Sequence, residues 1–263
     1  MNRRKKWFLV VLTVFALGVL TGSGVQAASA GKWVTRDNGY SYEKNNSYLR
    51  GKKKIGKRYY YFDGNGIQRT GWRKISGKYY YFRVKNGSSG YMVTNKNVDG
   101  IKLKKSGAAS MTGRAKKKMK VLIRAQEIVD EYTTPLMDLA TKRRILYNHC
   151  RDDFDNYVLG DYITGNSDWD VTYAWRLLSG GYGDCYAHAA GFAYLLHAIG
   201  CSNVYVEHNG VHCWVHHRDF FFDVHWEKAY PNISCYHMPA SASNTGGRPD
   251  WRNIGLYRKR VDA

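Results

Sequence analysis

Three patterns of apolar and polar positions succeed one another along this chain. The first is a block. Residues 7–20 are almost unbroken apolar, with Arg3, Arg4, Lys5 and Lys6 before them and small residues after them. Spanning a bilayer takes roughly 20 apolar residues, so this block predicts a signal peptide over residues 1–30 and a secreted mature protein. Val25-x-Ala27 and Ala28-x-Ala30 both meet the small-residue cleavage rule, which puts cleavage near Ala27 or Ala30. The second pattern repeats. Tyr59-Tyr60-Tyr61-Phe62 returns as Tyr79-Tyr80-Tyr81-Phe82, twenty positions later, each copy behind a Gly-Lys pair. Such a period predicts stacked hairpins, each an aromatic strand, a turn at Asp63-Gly64-Asn65-Gly66 and a return strand into Gly71 and Trp72. One hairpin cannot bury a core by itself, so neighbours must stack.

The third pattern is mixed. Apolar residues at helical spacing predict helices over 121–132, from Pro135 to about Cys150, and over 171–178. A strongly amphipathic helix is predicted over 185–199, stopped by Gly200. Strand signals follow over 203–208, 211–217 and 220–226, with Asn209-Gly210 as a hairpin turn between the first two. Helices first and a meander second define an α+β domain. Residues 107–120 are small, polar and basic, and predict a linker. The expected organisation is a signal peptide over 1–30, a repeat region over 31–106, a linker over 107–120 and a catalytic domain over 121–263.

Charge sharpens this division. Residues 31–120 carry 24 Lys and Arg against 4 Asp and Glu, whereas residues 121–263 carry 13 against 17. The field of the basic part attracts polyanions, which outside a cell are wall polymers rather than nucleic acid. Five cysteines remain after the signal peptide: Cys150, Cys185, Cys201, Cys213 and Cys235. An odd number in an oxidising compartment leaves one thiol unpaired. If that thiol is Cys185, the other four form two bridges in one of three ways, or stay as small buried hydrophobes.

The segment from Gly71 to Phe82, GWRKISGKYYYF, resembles the glucan- or choline-binding type of cell-wall-binding repeat on secreted Gram-positive bacterial proteins. The likeness covers about residues 50–90, with a degenerate unit around Trp33 to Tyr48. It implies that aromatic residues of adjacent hairpins bind choline or sugar, since ring faces attract quaternary ammonium groups. The partners it implies are choline, glucan or anionic teichoic-type polymers of the wall.

The candidate chemistry lies further on. Cys185 sits where the turn Gly180-Gly181-Tyr182-Gly183-Asp184 hands over to a helix, with Asp184 as the N-cap. Unpaired N–H groups and the positive dipole end at that position favour a thiolate and could steady an oxyanion. On alternating strands His212, Trp214 and His216 share one face, and Phe221, Asp223 and His225 share another. A four-residue loop places His212 opposite Asp223; a two-residue Arg218-Asp219 loop makes them diagonal neighbours on one face. An odd loop would separate them. Either even loop yields a carboxylate that orients the imidazole. A zinc site on His208, His212, His216 and His225 is disfavoured, because no H-E-x-x-H or comparable spacing is present.

Cysteine, histidine and aspartate in this order, carried by GDCYAHAAGFAYLLHAIG, HCWV and DVHW, resemble the transglutaminase-like superfamily of thiol enzymes over about residues 124–227. The resemblance implies a papain/transglutaminase-like core of helices packed on an antiparallel sheet, with Cys185 as nucleophile, His212 as base and Asp223 as its orienting acid. It implies no cofactor and no metal. Two features depart from the pattern: Val215 stands where members often have Asn, and His225 where they often have Thr. His225 could compete for Asp223. The expected function is a secreted thiol enzyme that cleaves or transfers peptide or glutamine side-chain amides, with water as the default acceptor and lysine amine as the other. The alternative is a catalytically inactive wall-binding scaffold.

Overall fold

The computed structural model describes residues 31–157, 165–251 and 257–263; the expected signal peptide lies outside them. The basic half is a stack of four hairpin units. β1 (Lys32–Arg36) and β2 (Gly39–Lys44), edged by β3 (Ser47–Tyr48), form the first. β4 (Gly51–Ile55) with β5 (Arg58–Phe62), and β6 (Gly71–Ile75) with β7 (Lys78–Phe82), form the two aromatic units. β8 (Asn97–Val98) and β9 (Ile101–Lys102) form the last.

The hairpin frame differs from the expected one. Tyr59, Tyr60 and Tyr61 pair backward with Lys54, Lys53 and Lys52, and Tyr79, Tyr80 and Tyr81 with Lys74, Arg73 and Trp72. The tight turns are Gly56-Lys57 and Ser76-Gly77. At the second, both central residues have positive φ, the conformation whose twist suits a two-residue hairpin. The Asp63 segment instead carries the chain from one unit to the next. Asp63 Oδ1 accepts from the amides of Asn65 and Ile67 at 2.8 and 3.0 Å, closing a local turn. The amides of Gln68, Met92 and Ala109 then donate to the carbonyls of Tyr40, Tyr59 and Tyr79 in the preceding units, at 2.6, 2.7 and 2.8 Å. Phe62, Phe82 and Leu103 hold equivalent bridging positions and are fully buried. The last unit carries no sequence signal because Ile101 and Leu103 stand where the earlier units have Tyr60 and Phe62, or Tyr80 and Phe82.

Residues 107–120 are not a linker. α1 (Gly113–Tyr132) begins there, capped by Thr112 Oγ1 accepting from the Ala115 amide at 3.4 Å. Lys116, Lys117 and Lys120 lie on its exposed face while Ala115 and Met119 are buried, so basic composition is compatible with an amphipathic helix. α2 (Leu139–Asp152) starts four residues after Pro135 because Asp138 supplies the cap, accepting from the Thr141 amide at 2.7 Å. β10 (Asp155–Asn156) and β11 (Tyr182–Gly183) pair in parallel on either side of α3 (Trp169–Gly180).

α4 (Cys185–Ala198) is the axis of the domain. Every residue from Cys185 to Leu196 is buried, so this helix has no polar face, contrary to the amphipathic expectation. A helix apolar all round belongs inside a core; α1, α2, α3 and the sheet surround it. Close packing here depends on small residues. A Cβ on Gly191 would lie 2.5 Å from Leu177 Cδ2 of α3. Gly191→Val should therefore destabilise the full chain by about 1–3 kcal/mol, seen as a lower Tm; an unchanged Tm would show that α3 can move aside.

The sheet has the order β15-β14-β13-β12-β16, antiparallel throughout, built from β12 (Val204–His208), β13 (Cys213–His217), β14 (Phe220–Phe222), β15 (Met238–Pro239) and β16 (Tyr257–Arg260). Val204, Val206, Cys213, Val215 and Phe222 join the core with α4; Trp214, Phe221, Cys235 and Trp251 form a smaller cluster. The predicted third strand is cut short. At Asp223 the chain turns into α5 (Val224–Ala229), with Asp223 Oδ1 accepting from the Trp226 amide at 3.0 Å. The turn between β12 and β13 lies one residue later than expected. Its central residues are Gly210 and Val211, with the Asn209 amide donating to the His212 carbonyl at 3.1 Å.

The two halves are fused rather than tethered. Trp72, Ile101 and Leu103 of the repeats belong to the same apolar cluster as α1, α3 and α4. Trp72 Nε1 donates to Asp99 Oδ2 at 2.6 Å, Asp99 Oδ1 meets His197 Nε2 of α4 at 2.9 Å, and Arg73 pairs with Asp130 of α1. All five cysteines are free and buried, which settles the open choice for Cys150, Cys201, Cys213 and Cys235 as small apolar residues.

Candidate active site

Three elements converge at one end of α4. β11 delivers the chain to Asp184, whose Oδ1 accepts from the Ala187 amide at 3.0 Å and fixes the helix start. Cys185 follows as the first helical residue, 6% exposed. β13 and β14 are joined by the two-residue Arg218-Asp219 turn, with His217 opposite Phe220 and Val215 opposite Phe222. This is the register in which His212 and Asp223 are diagonal neighbours. Neither residue lies within a strand: His212 immediately precedes β13 and Asp223 immediately follows β14.

His212 Nε2 and Asp223 Oδ2 are 2.6 Å apart. The carboxylate accepts, so the ring carries its proton at Nε2 and turns Nδ1 towards other partners. Cys185 lies near enough to His212 to act on the charge of the ring. Burial opposes charge on the imidazole, yet Asp223, by charge and hydrogen bond, and then Cys185 outweigh it and raise its pKa to about 10. Asp223 and Cys185 together thus favour the imidazolium form of His212. His212 and Asp223 meet directly, and Cys185 lies near enough to His212 to act on its charge.

Other partners are invisible in the sequence. Trp251 Nε1 donates to Asp223 Oδ2 at 3.1 Å, so that oxygen accepts from two rings. Tyr147 of α2 places its hydroxyl 3.1 Å from the Asp223 carbonyl and 2.9 Å from Glu227 Oε2. The Trp226 ring meets His212 edge-on, with centroids 5.4 Å apart. No spacing or motif links residues 147 and 251 to 223. Among the described hydrogen bonds none joins His225 to Asp223, although its ring lies 6.2 Å from that of His212. Its ring lies 5.6 Å from that of His188, and burial lowers its pKa. His188 is fully buried one turn after Cys185; Nδ1 donates to the Asp184 carbonyl at 3.0 Å, and burial lowers its pKa to about 4. Among the described residues no group of three or more His, Cys, Asp or Glu is arranged to hold a metal ion.

Comparison with known proteins bears on the other half. Residues 49–97 match the choline-binding repeat family. Similar solved structures include choline binding protein F from Streptococcus pneumoniae, 31% identical over 30% of this chain and 26% of that one, with a TM-score of 0.27. The pneumococcal cell wall endolysin from phage Cp-1, solved with choline, is 33% identical over 31% of this chain and 25% of its own, with a TM-score of 0.27. A choline binding domain from Streptococcus pneumoniae is 22% identical over 30% of this chain and 93% of its own, with a TM-score of 0.27. The chain spans about a quarter of the length of the first two. Comparison with curated proteins gives no match. The family match thus covers the two aromatic hairpins β4–β5 and β6–β7, leaves β1–β3 outside it and stops short of α1.

Proposed function

We propose that the protein attaches to a bacterial cell wall through its repeats and carries out thiol acyl transfer there with Cys185, His212 and Asp223. The family match of residues 49–97 supports the first part. The observation that carries the second is the 2.6 Å contact of His212 Nε2 with Asp223, in a ring whose charged form Cys185, at a helix start, also favours.

In this reading Cys185 Sγ passes its proton to His212, making the imidazolium, and attacks the carbonyl carbon of a peptide or side-chain amide. The electron pair moves to oxygen, and N–H groups at the start of α4 face the developing charge. Collapse breaks the C–N bond as the His212 imidazolium gives its proton to the departing amine, leaving a thioester on Cys185. Neutral His212 then takes a proton from the acceptor, which attacks the thioester carbon; Cys185 Sγ leaves with the bonding electron pair and shares the His212 proton again as at the start. Water as acceptor gives hydrolysis; a lysine amine gives cross-linking. Hydrolysis is the default, since water is always present.

The second reading is a wall-binding scaffold with an idle thiol. It is favoured by the extent of the family match, which lies wholly in the repeats, and by the small exposure of Cys185. Thiol reactivity separates the two. With iodoacetamide at pH 6, Cys185 of an active centre is alkylated at least ten times faster than a model thiol, and His212→Ala removes the advantage. Alkylation no faster than the model thiol supports the scaffold. Mass spectrometry of wall peptides incubated with wild type and Cys185→Ala then distinguishes cleavage, deamidation and cross-linking.

A further inference from the structure

Given the wall-binding reading above, the ring faces of the repeats identify the chemistry of the polymer. Capture of a quaternary ammonium needs an open aromatic face within about 6 Å of the cation. Here the chain's own cations occupy such faces. Arg58 Cζ lies 3.9 Å and Arg83 Cζ 5.0 Å from the centroid of Tyr91, and Arg83 Nη1 donates to the Tyr91 hydroxyl at 2.7 Å. Lys52 Nζ lies 4.1 Å from the centroid of Tyr80, and Arg36 Cζ 4.3 Å from that of Tyr48. Other rings close on each other: Trp33 meets Tyr42 and Tyr60 edge-on at 5.3 and 5.1 Å, and Trp72 meets Tyr81 at 5.3 Å. A choline headgroup approaching these tyrosines meets like charge.

The same cations have few acidic neighbours. Hairpin β4–β5 carries Lys52, Lys53, Lys54, Lys57 and Arg58 and no Asp or Glu. Three of the four acids in residues 31–120 neutralise cations elsewhere: Asp99 is bound to His197 at 2.9 Å, Asp63 to Arg69 at 2.8 Å and Glu43 to Lys32 at 3.4 Å; the fourth, Asp37, follows Arg36. Alternate residues of a strand lie ~7 Å apart on one face, a spacing suited to closely repeated phosphates. A guanidinium stacked on a ring is pre-oriented; Arg36 and Arg83 spend Nη1 on the Asn65 carbonyl and the Tyr91 hydroxyl, at 2.8 and 2.7 Å, and offer their other N–H groups to a phosphate.

We infer that hairpin β4–β5, with Arg36 and Arg83 beside it, binds the phosphodiester backbone of an anionic wall polymer, and that its tyrosines orient cations instead of caging choline. The test is calorimetric titration of the chain from residue 31 onward with choline-free poly(glycerol phosphate), in 50 and 300 mM NaCl. Binding is expected, at least tenfold weaker at the higher salt and at least tenfold weaker in the variant K53Q/K54Q/K57Q, whose side chains leave the ring stacks intact. Choline at 10 mM should not compete.

Three results overturn the inference. One is failure of the choline-free polymer to bind while choline-bearing walls retain the chain and choline elutes it, which leaves wall attachment standing. The second is equal affinity for DNA of matched charge, which makes the surface a general polycation. The third is retention by neither walls nor polymer, which removes wall attachment as well. Arg58→Ala with Arg83→Ala offers a converse reading: uncovering Tyr91 should create choline binding that the wild type lacks, and unchanged choline affinity would show that the arginines do not cover the site.

Discussion

Asp223→Asn should slow acylation of Cys185 by an activated ester roughly 10⁴-fold, the scale on which amide replacement of the orienting carboxylate disables a triad. Asp223 Oδ2 accepts from both His212 Nε2 and Trp251 Nε1, whereas an amide presents one oxygen and one nitrogen donor. The asparagine oxygen cannot serve both these donors and the Trp226 amide, and the negative charge is gone. Without it His212 loses the main force holding its pKa near 10, so the pH profile of thiol alkylation should also move down. The sign for stability follows from the same shift. A histidine raised from about 6.5 contributes stability that is complete below that value and is lost as pH climbs towards about 10. Wild type should therefore lose stability over that interval, and the Asn variant should lose much less. A variant whose acylation rate stays within tenfold of wild type would make Asp223 a helix cap and nothing more.

Asp99→Asn is the largest expected stability change, a loss of about 3–5 kcal/mol, because it leaves a buried charged partner uncompensated. Asp99 is almost fully buried at the joint between the repeats and α4, and holds both Trp72 and His197. Burial works against its charge, but His197 prevails and holds its pKa below the ordinary value; burial also opposes the charge of His197, and Asp99 holds that pKa above its ordinary value. Stability from the pair is complete between the two unfolded values, roughly pH 4 to 6.5. It falls on acidification through the lowered Asp99 pKa and on alkalinisation through the raised His197 pKa. Denaturant unfolding of the full chain at pH 6 and pH 8.5 measures this. If the Asn variant matches wild type at pH 6, the joint is held by apolar contact alone. His197→Leu added to Asp99→Asn should recover part of the loss, since removing both partners avoids the stranded charge.

The sequence alone placed Cys185 at the head of a helix with Asp184 as its cap, because these are local choices set within a few residues. It also carried the aromatic hairpin repeat, and left the loop after β13 open between lengths that join or separate His212 and Asp223; strand pairing chose the two-residue turn. The opening of hairpins at Gly56-Lys57 and Ser76-Gly77, rather than at Asp63, was decided by backbone pairing with the lysine-rich strands. Tertiary structure alone decided the rest. Trp251 and Tyr147 reach Asp223 from 28 and 76 residues away, a separation over which no periodicity carries information. The supposed linker became α1 and the supposed amphipathic helix became a fully buried axis. Burial of a helix face depends on what surrounds it, and here the surrounding elements come from both halves of the chain. The union of those halves through Trp72, Asp99 and His197 is likewise a matter of packing. Charge contrast along the sequence suggested two bodies, but apolar area shared between neighbours made one core.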